Sequence, residues 1–326
     1  MEKQEENCKI DIEEEETDKE YYSCMRRVSR IMVTLIIGLL ATWYYIFVVE
    51  LCIFTVPSPA LKATFLVIFH ILFFLCVWSY LRVVITPPAV PPETFRLSES
   101  DKQLYLSEER PEVQEQILSR AAKNLPLYYN IDSETPIKYC RKCQFIKPDR
   151  CHHCTACDIC ILKVDHHCIF LNNCVGFSNY KFFLLFLLYV PLLLIFTSAV
   201  SLYCSILFWT DQLPNMDSKD SVIALFCMST LFCMSTLFCI IFCYQYIYCH
   251  YSLVLMNQTL LEVGIHCEYN PYDLGYRKNW RQVFGNKKRY WFIPIFSSLG
   301  DGSSFPLGDA TEDIEKNGTI DCQTPK

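Results

Sequence analysis

The chain has 326 residues, 52% of them hydrophobic and 15% aromatic, with 29 Lys and Arg against 35 Asp and Glu for a formal net charge of −6. An apolar fraction this high, gathered into long runs, excludes an ordinary soluble domain. No nucleic-acid partner is expected.

Residues 1–20 carry ten acidic groups against three lysines and read as a solvated, mobile tail. They lack an apolar core, so no cleavable signal peptide is expected. Apolar runs follow at about Ile31–Val56, Ala63–Val84, Phe182–Phe208 and Val222–Leu255. Each exceeds the roughly 20 residues that a bilayer-spanning helix needs. Arg26, Arg27 and Arg30 precede the first run, Arg82 closes the second, Lys181 opens the third, and Arg277, Lys278 and Arg281 follow the fourth, whereas the two other connections carry only Lys62 and Lys219. The positive-inside rule then puts both termini and the central segment in the cytosol. The sequons at Asn257 and Asn317 would face the cytosol and stay unglycosylated.

Glu50 lies near the far end of the first span, and His70 inside the second reads as a packed, satisfied residue. Trp43, Tyr44 and Tyr45 are either helix-packing groups or cavity lining. After the second span, "TPPAVPP" cannot remain helical, and "SEERPEVQEQILSRAAKNL" reads as an exposed amphipathic helix with Pro111 in its first turn.

Eight of the twenty cysteines fall between Cys140 and Cys174, together with His152, His153, His166 and His167. On the reducing side of a membrane such clustering indicates metal or catalysis rather than disulfides. Paired Cys-x2-Cys knuckles with nearby Cys and His suit tetrahedral zinc. Two such sites would use eight of the twelve candidates. The rest are either spare residues of a structural zinc module or the place where chemistry occurs, and spacing alone leaves both open. Cys168 has the features of a nucleophile: neighbouring histidines and cations favour its thiolate, and Asp165 can orient an adjacent His. Only thirteen residues separate it from Lys181, which places it at the membrane surface. Cysteines within the spans read more simply as small soft hydrophobes.

In the fourth run the unit Leu225–Thr230 recurs as Leu231–Thr236, a local duplication. Val222–Leu255 would measure roughly 50 Å as a helix. Part of it is therefore expected to project into the cytosol, where Tyr244, Gln245, Tyr246, Tyr248 and His250 make it more polar.

"YCRKCQFIKPDRCHHCTACDICILKVDHHC…NNCVGFSNYKFF", with "NWRQVFG" (Asn279–Gly285) and "SSLGDG…FP" (Ser297–Pro306), resembles the DHHC protein S-acyltransferases from about Arg26 to Pro306. The resemblance implies an all-α polytopic membrane protein of four transmembrane helices, with a cytosolic zinc-binding cysteine-rich domain between helices two and three. The segments would be a tail (1–30), two spans (31–84), a linker (85–137), the catalytic domain (138–181), two spans (182–255) and a C-terminal region (256–326). One zinc would be held by Cys140, Cys143, His153 and Cys160, the other by Cys154, Cys157, His167 and Cys174. Cys168 would be the acylated nucleophile, His166 its general base and Asp165 the group orienting that base. Cys151 and His152 fall outside these sets.

The implied donor is palmitoyl-CoA or another long-chain acyl-CoA, and the acceptors are cysteines of membrane-associated proteins. The basic stretch from Lys138 to Lys181, with seven cations against three acids, would hold the CoA phosphates, with Arg150, Lys163 and Lys181 as the candidates. Cys8, Cys24 and Cys322 are candidates for the protein's own acylation. An endomembrane is implied, the Golgi before the ER or plasma membrane. Three departures from the family pattern stand out. Ile169-Phe170 follows the nucleophile where Pro-Trp is usual, Leu260 replaces the second Thr of a Thr-Thr-x-Glu segment, and the repeat shifts one half of the fourth span. The alternative they suggest is a weak or inactive relative that keeps the zinc fold and serves as a binding scaffold.

Overall fold

The computed structural model describes residues 2–128, 136–210, 212, 218–263 and 270–308. The protein is mostly helical. Four of its helical stretches are long and apolar enough to cross a membrane: Tyr22–Thr55, Pro59–Ile85, Tyr180–Trp209 and Phe226–Met256.

Helix α1 (Glu2–Tyr45) passes into a π-helical segment, Ile46–Thr55. The acidic N-terminal segment, expected as a mobile tail, is drawn into α1, since Glu and Lys are good helix formers and acids suit a helix N-terminus. Helix α2 (Pro59–Ile85) starts with Ser58 as N-cap and Pro59 at its first position, then stops at the Pro-rich segment. Helices α3 (Glu99–Ser107) and α4 (Pro111–Ala122) follow. Ile117, Leu118 and Ala122 of α4 pack with Phe95, Tyr105, Phe145 and Ile146 as a small separate core.

Three two-stranded antiparallel hairpins come next: β1 (Tyr139–Cys140) with β2 (Phe145–Ile146), β3 (His152–Cys154) with β4 (Ile159–Ile161), and β5 (His166–Cys168) with β6 (Asn173–Val175). An all-α expectation misses them, because strands of two or three residues are too short to display an alternating pattern.

Helix α5 (Tyr180–Trp209) is the third span. It is the central helix: 61% of its apolar window is buried in the protein, against 11–18% for the other three. Helix α6 (Ser218–Phe242), a π-helical turn (Cys243–Ile247) and α7 (Tyr248–Met256) form one long rod containing the repeat. The short α8 (Leu260–Val263) and α9 (Tyr276–Phe284) complete the fold. Tyr244 and Tyr248 are 82% and 76% exposed, but His250, expected among the projecting polar groups, is only 4% exposed.

The hairpin region is anchored to the spans by directional bonds. Asn173 Nδ2 donates to the Val83 and Thr86 carbonyls at the end of α2, and Leu162 N donates to Ala89 O. Asn179, just before α5, accepts from Gly176 N and donates to Cys174 O. Within the spans, His70 is satisfied as expected, by Tyr44 Oη and Leu66 O, and the Glu50 carboxylate accepts from Tyr45 Oη. Trp43 and Tyr44 pack against the span core, while Tyr45 points away from it.

Candidate active site and metal centres

The hairpins are linked by two clusters of sulfur and imidazole. Cys140, Cys143, His153 and Cys160 bring their donor atoms within 4.8 Å of one another, and so do Cys154, Cys157, His167 and Cys174. Strand register builds both groups. His153 pairs across its hairpin with Cys160, and His167 with Cys174. Each cluster then draws two more cysteines from the preceding hairpin, so the three hairpins form a chain. The knuckles turn sharply at Gln144 and Asp158, both with positive φ.

The donors fit a tetrahedral cation. His153 Nδ1 lies 3.6 Å from Cys140 Sγ and 3.2 Å from Cys143 Sγ; in the second group the His167 Nδ1 and thiol spacings run from 3.3 to 3.7 Å. A tetrahedron of Zn–S and Zn–N bonds at about 2.3 and 2.0–2.1 Å has edges of about 3.5–3.8 Å. Hydrogen bonds accepted by the Cys154 and Cys157 sulfurs push the His167 imidazolium up to about 10. Thiols and imidazole crowded this closely share protons that a dication would displace.

Side chains alternate along a strand. On β5, His167 faces the second cluster, and His166 and Cys168 face the other way. His166 Nδ1 is 2.7 Å from Asp165 Oδ2. The other carboxylate oxygen, Oδ1, accepts from Leu260 N at 3.0 Å, and Asp165 is 1% exposed. Burial pushes the His166 imidazolium down, but the bonded Asp165 carboxylate and the Cys168 sulfur reverse this and hold it up at about 9. Cys168 is half-buried and packs against the apolar core of the spans. Downstream, Tyr80 Oη donates to Phe170 O, and the Phe170 side chain is exposed. Asn172, with positive φ, turns the chain into β6.

The three cations assigned to CoA phosphates are differently employed. Lys163 is buried, donates to Asn257 Oδ1, and has its pKa pushed well down by burial. Lys181 is 2% exposed and donates to Tyr290 O, Ile295 O and Ser297 Oγ, tying the start of α5 to the C-terminal region. Arg150 makes a two-pronged pair with Glu262 at 2.7 Å and also bonds Asn257. Their donor groups are thus occupied inside the protein. Arg150 does line a cavity of about 110 Å³, with Lys138, Lys147, Asp149 and His152. There burial raises Asp149 to about 6 and lowers His152. Cys151 is buried beside Cys140 and Cys160.

Sequence reasoning passed over Asn257 and Glu262 as functional groups. Asn257 has left-handed backbone (φ 51°), is 3% exposed, accepts from Arg150 and Lys163, and donates to Tyr272 O. Its sequon is closed to glycosylation by burial. Asn317 and the side chains of Cys8 and Cys322 lie outside the described residues, whereas Cys24 is exposed. The Leu260 substitution removes nothing from Asp165, because the contact is made by the backbone amide and the side chain is 43% exposed.

A DHHC palmitoyltransferase family model matches residues 133–265. Palmitoyltransferase ZDHHC20-A of Danio rerio is 46% identical over 310 residues, which is 93% of this chain and 84% of that protein. Palmitoyltransferase ZDHHC20 of Homo sapiens is 48% identical over 295 residues, 87% of this chain and 79% of the relative. Palmitoyltransferase ZDHHC15 of Xenopus laevis is 43% identical over 296 residues, 89% and 85%. With hairpins, clusters and spans arranged as described, the chain belongs to the DHHC palmitoyltransferase family.

Proposed function

We propose that the protein is an acyl-CoA-dependent protein-cysteine S-palmitoyltransferase working through a thioester on Cys168. One observation supports this most: Asp165 and His166 stand beside a half-buried thiol that itself lies against the apolar core of the spans. A thiol at that boundary can meet a thioester whose chain dissolves among the helices.

In the first step the Cys168 sulfur attacks the thioester carbonyl. The new S–C bond replaces the bond to CoA, and the Cys168 proton passes through His166 to the departing CoA thiolate. In the second step a substrate cysteine gives its proton to His166, attacks the acyl carbonyl and releases Cys168 as thiol. A thioester is exchanged for a thioester each time, so the residues supply thiolate and position rather than driving force. Asp165 holds His166 with Nδ1 as donor, which leaves Nε2 for the thiol.

The two Cys3His groups would each hold a structural zinc, fixing the hairpin that carries His166 and Cys168 relative to the hairpins before it. Lys147 at the 110 Å³ cavity would meet CoA phosphate in place of the buried Lys163 and Lys181. The cations flanking the spans favour cytosolic termini, which puts the thiol where acyl-CoA and reduced substrate cysteines are present.

The test is transfer. The purified full chain is given palmitoyl-CoA and a lipid-tethered peptide bearing one cysteine. Free CoA and acyl-peptide released in equal amounts support the reading. Neither product from a protein carrying two zincs would favour a binding scaffold.

A further inference from the structure

His250 has no part in the mechanism above, yet its placement is specific. It lies on α7 in the fourth span, 4% exposed, and its Nδ1 is buried with no hydrogen-bond partner. That atom is 3.7 Å from Asp165 Oδ2. The ring is held by Phe183 edge-on at 4.9 Å, by Tyr246 in parallel at 6.4 Å, and by His166 at 5.8 Å. A buried imidazole nitrogen left unpaired costs free energy, and here it faces the one carboxylate that orients the general base.

The carboxylate has room for it. Asp165 Oδ1 takes the Leu260 amide, and Oδ2 takes His166 Nδ1. A carboxylate oxygen accepts two hydrogen bonds, so Oδ2 keeps capacity for one more, and His250 Nδ1 stands 3.7 Å from it. Hydrogen bonds of a catalytic set are often long before substrate binds and tighten in the reacting complex. A π-helical turn, Cys243–Ile247, immediately precedes α7, the helix that carries His250. Such turns recur at functional sites.

We infer that His250 is a positioning residue for acyl transfer, donating from Nδ1 to Asp165 Oδ2 and so making the aim of the general base depend on the position of the fourth span. This rests on the S-acyltransferase reading. The carboxylate selects the tautomer with hydrogen on Nδ1, and the neutral ring is sufficient. With His250, Leu260 and His166 all donating, Asp165 cannot rotate, and His166 stays aimed at Cys168. A span that shifted on filling with an acyl chain would tighten or release this bond.

Single-turnover acylation of the full chain by labelled palmitoyl-CoA, followed against donor concentration, tests this with His250→Phe and His250→Asn. Phe keeps the ring packing and loses the donor; Asn loses the ring and keeps an N–H near Nδ1. The expected result is a rate at saturating donor about tenfold lower for His250→Phe, with half-saturation unchanged, and a rate within about threefold of the parent for His250→Asn. A merely packing role gives the reverse order and overturns the inference, as does a His250→Phe rate equal to the parent. Three metals per chain in the parent, lost to two in either variant, would also overturn it by making the Asp165, His166 and His250 group a ligand set. If His250→Phe fails to retain zinc, a His250→Asn rate near the parent's still supports it, and one reduced tenfold overturns it. A parent that never acylates refutes the S-acyltransferase reading itself, an outcome distinct from these.

Discussion

His166 and His167 are neighbours in the chain and serve opposite faces of one strand. His166 meets Asp165 at 2.7 Å, and His167 meets Cys174 Sγ at 3.3 Å. Strand alternation therefore separates the proposed reacting groups from the candidate metal ligands, and substitutions at the two histidines should fail in different ways.

Asp165→Asn keeps the shape of the side chain and one acceptor. It weakens the hold on His166 and permits the wrong tautomer. Acylation of Cys168 should fall about a hundredfold while zinc content stays at two per chain, read by elemental analysis and single-turnover labelling on the same sample.

His167→Ala removes one ligand of the second cluster and frees the β5–β6 hairpin. Zinc should fall from two per chain to one and acylation should disappear. Chelation of the parent should reach the same endpoint, and restoring zinc should recover acylation where the hairpins refold.

Asn257→Ala leaves the buried Arg150 and Lys163 without a shared acceptor and Tyr272 O without its donor. A loss of about 2–3 kcal/mol is expected, seen as a lowered thermal midpoint in detergent. A tryptic peptide spanning Asn257 should show the unmodified mass in the parent, since Asn257 is closed to modification.

Leu260→Thr should leave acylation within about twofold of the parent, because the side chain is outside the contact. Leu260→Pro, at the first position of α8, where proline is tolerated, deletes only the amide that reaches Asp165 Oδ1. It should slow acylation about tenfold. Single-turnover rates of the two variants decide whether the backbone or the side chain of this segment supports the base.

The spans were legible because each is a long apolar run, and the cysteine clusters because knuckle spacing is distinctive. Strand alternation also contains the split between His166 and His167, but the hairpins are too short for sequence periodicity to reveal them. The roles of Arg150, Lys163 and Lys181 were hidden for another reason. A cation's partner is set by packing across about a hundred residues of chain, as with Arg150 and Glu262, and local charge counts cannot show which cations are already consumed. His250 reads in sequence as one more polar group near a helix end. Only the packing of α7 beside α5 and Asp165 distinguishes it from Tyr244 and Tyr248.

The most direct test of the account is the covalent state of Cys168. The purified chain and its Cys168→Ser form would be incubated with labelled palmitoyl-CoA and then treated with hydroxylamine. The account predicts one hydroxylamine-labile acyl group per chain, located at Cys168 by peptide mass and absent from the variant. A label that persists in Cys168→Ser, or an unlabelled parent with two zincs bound, would contradict it.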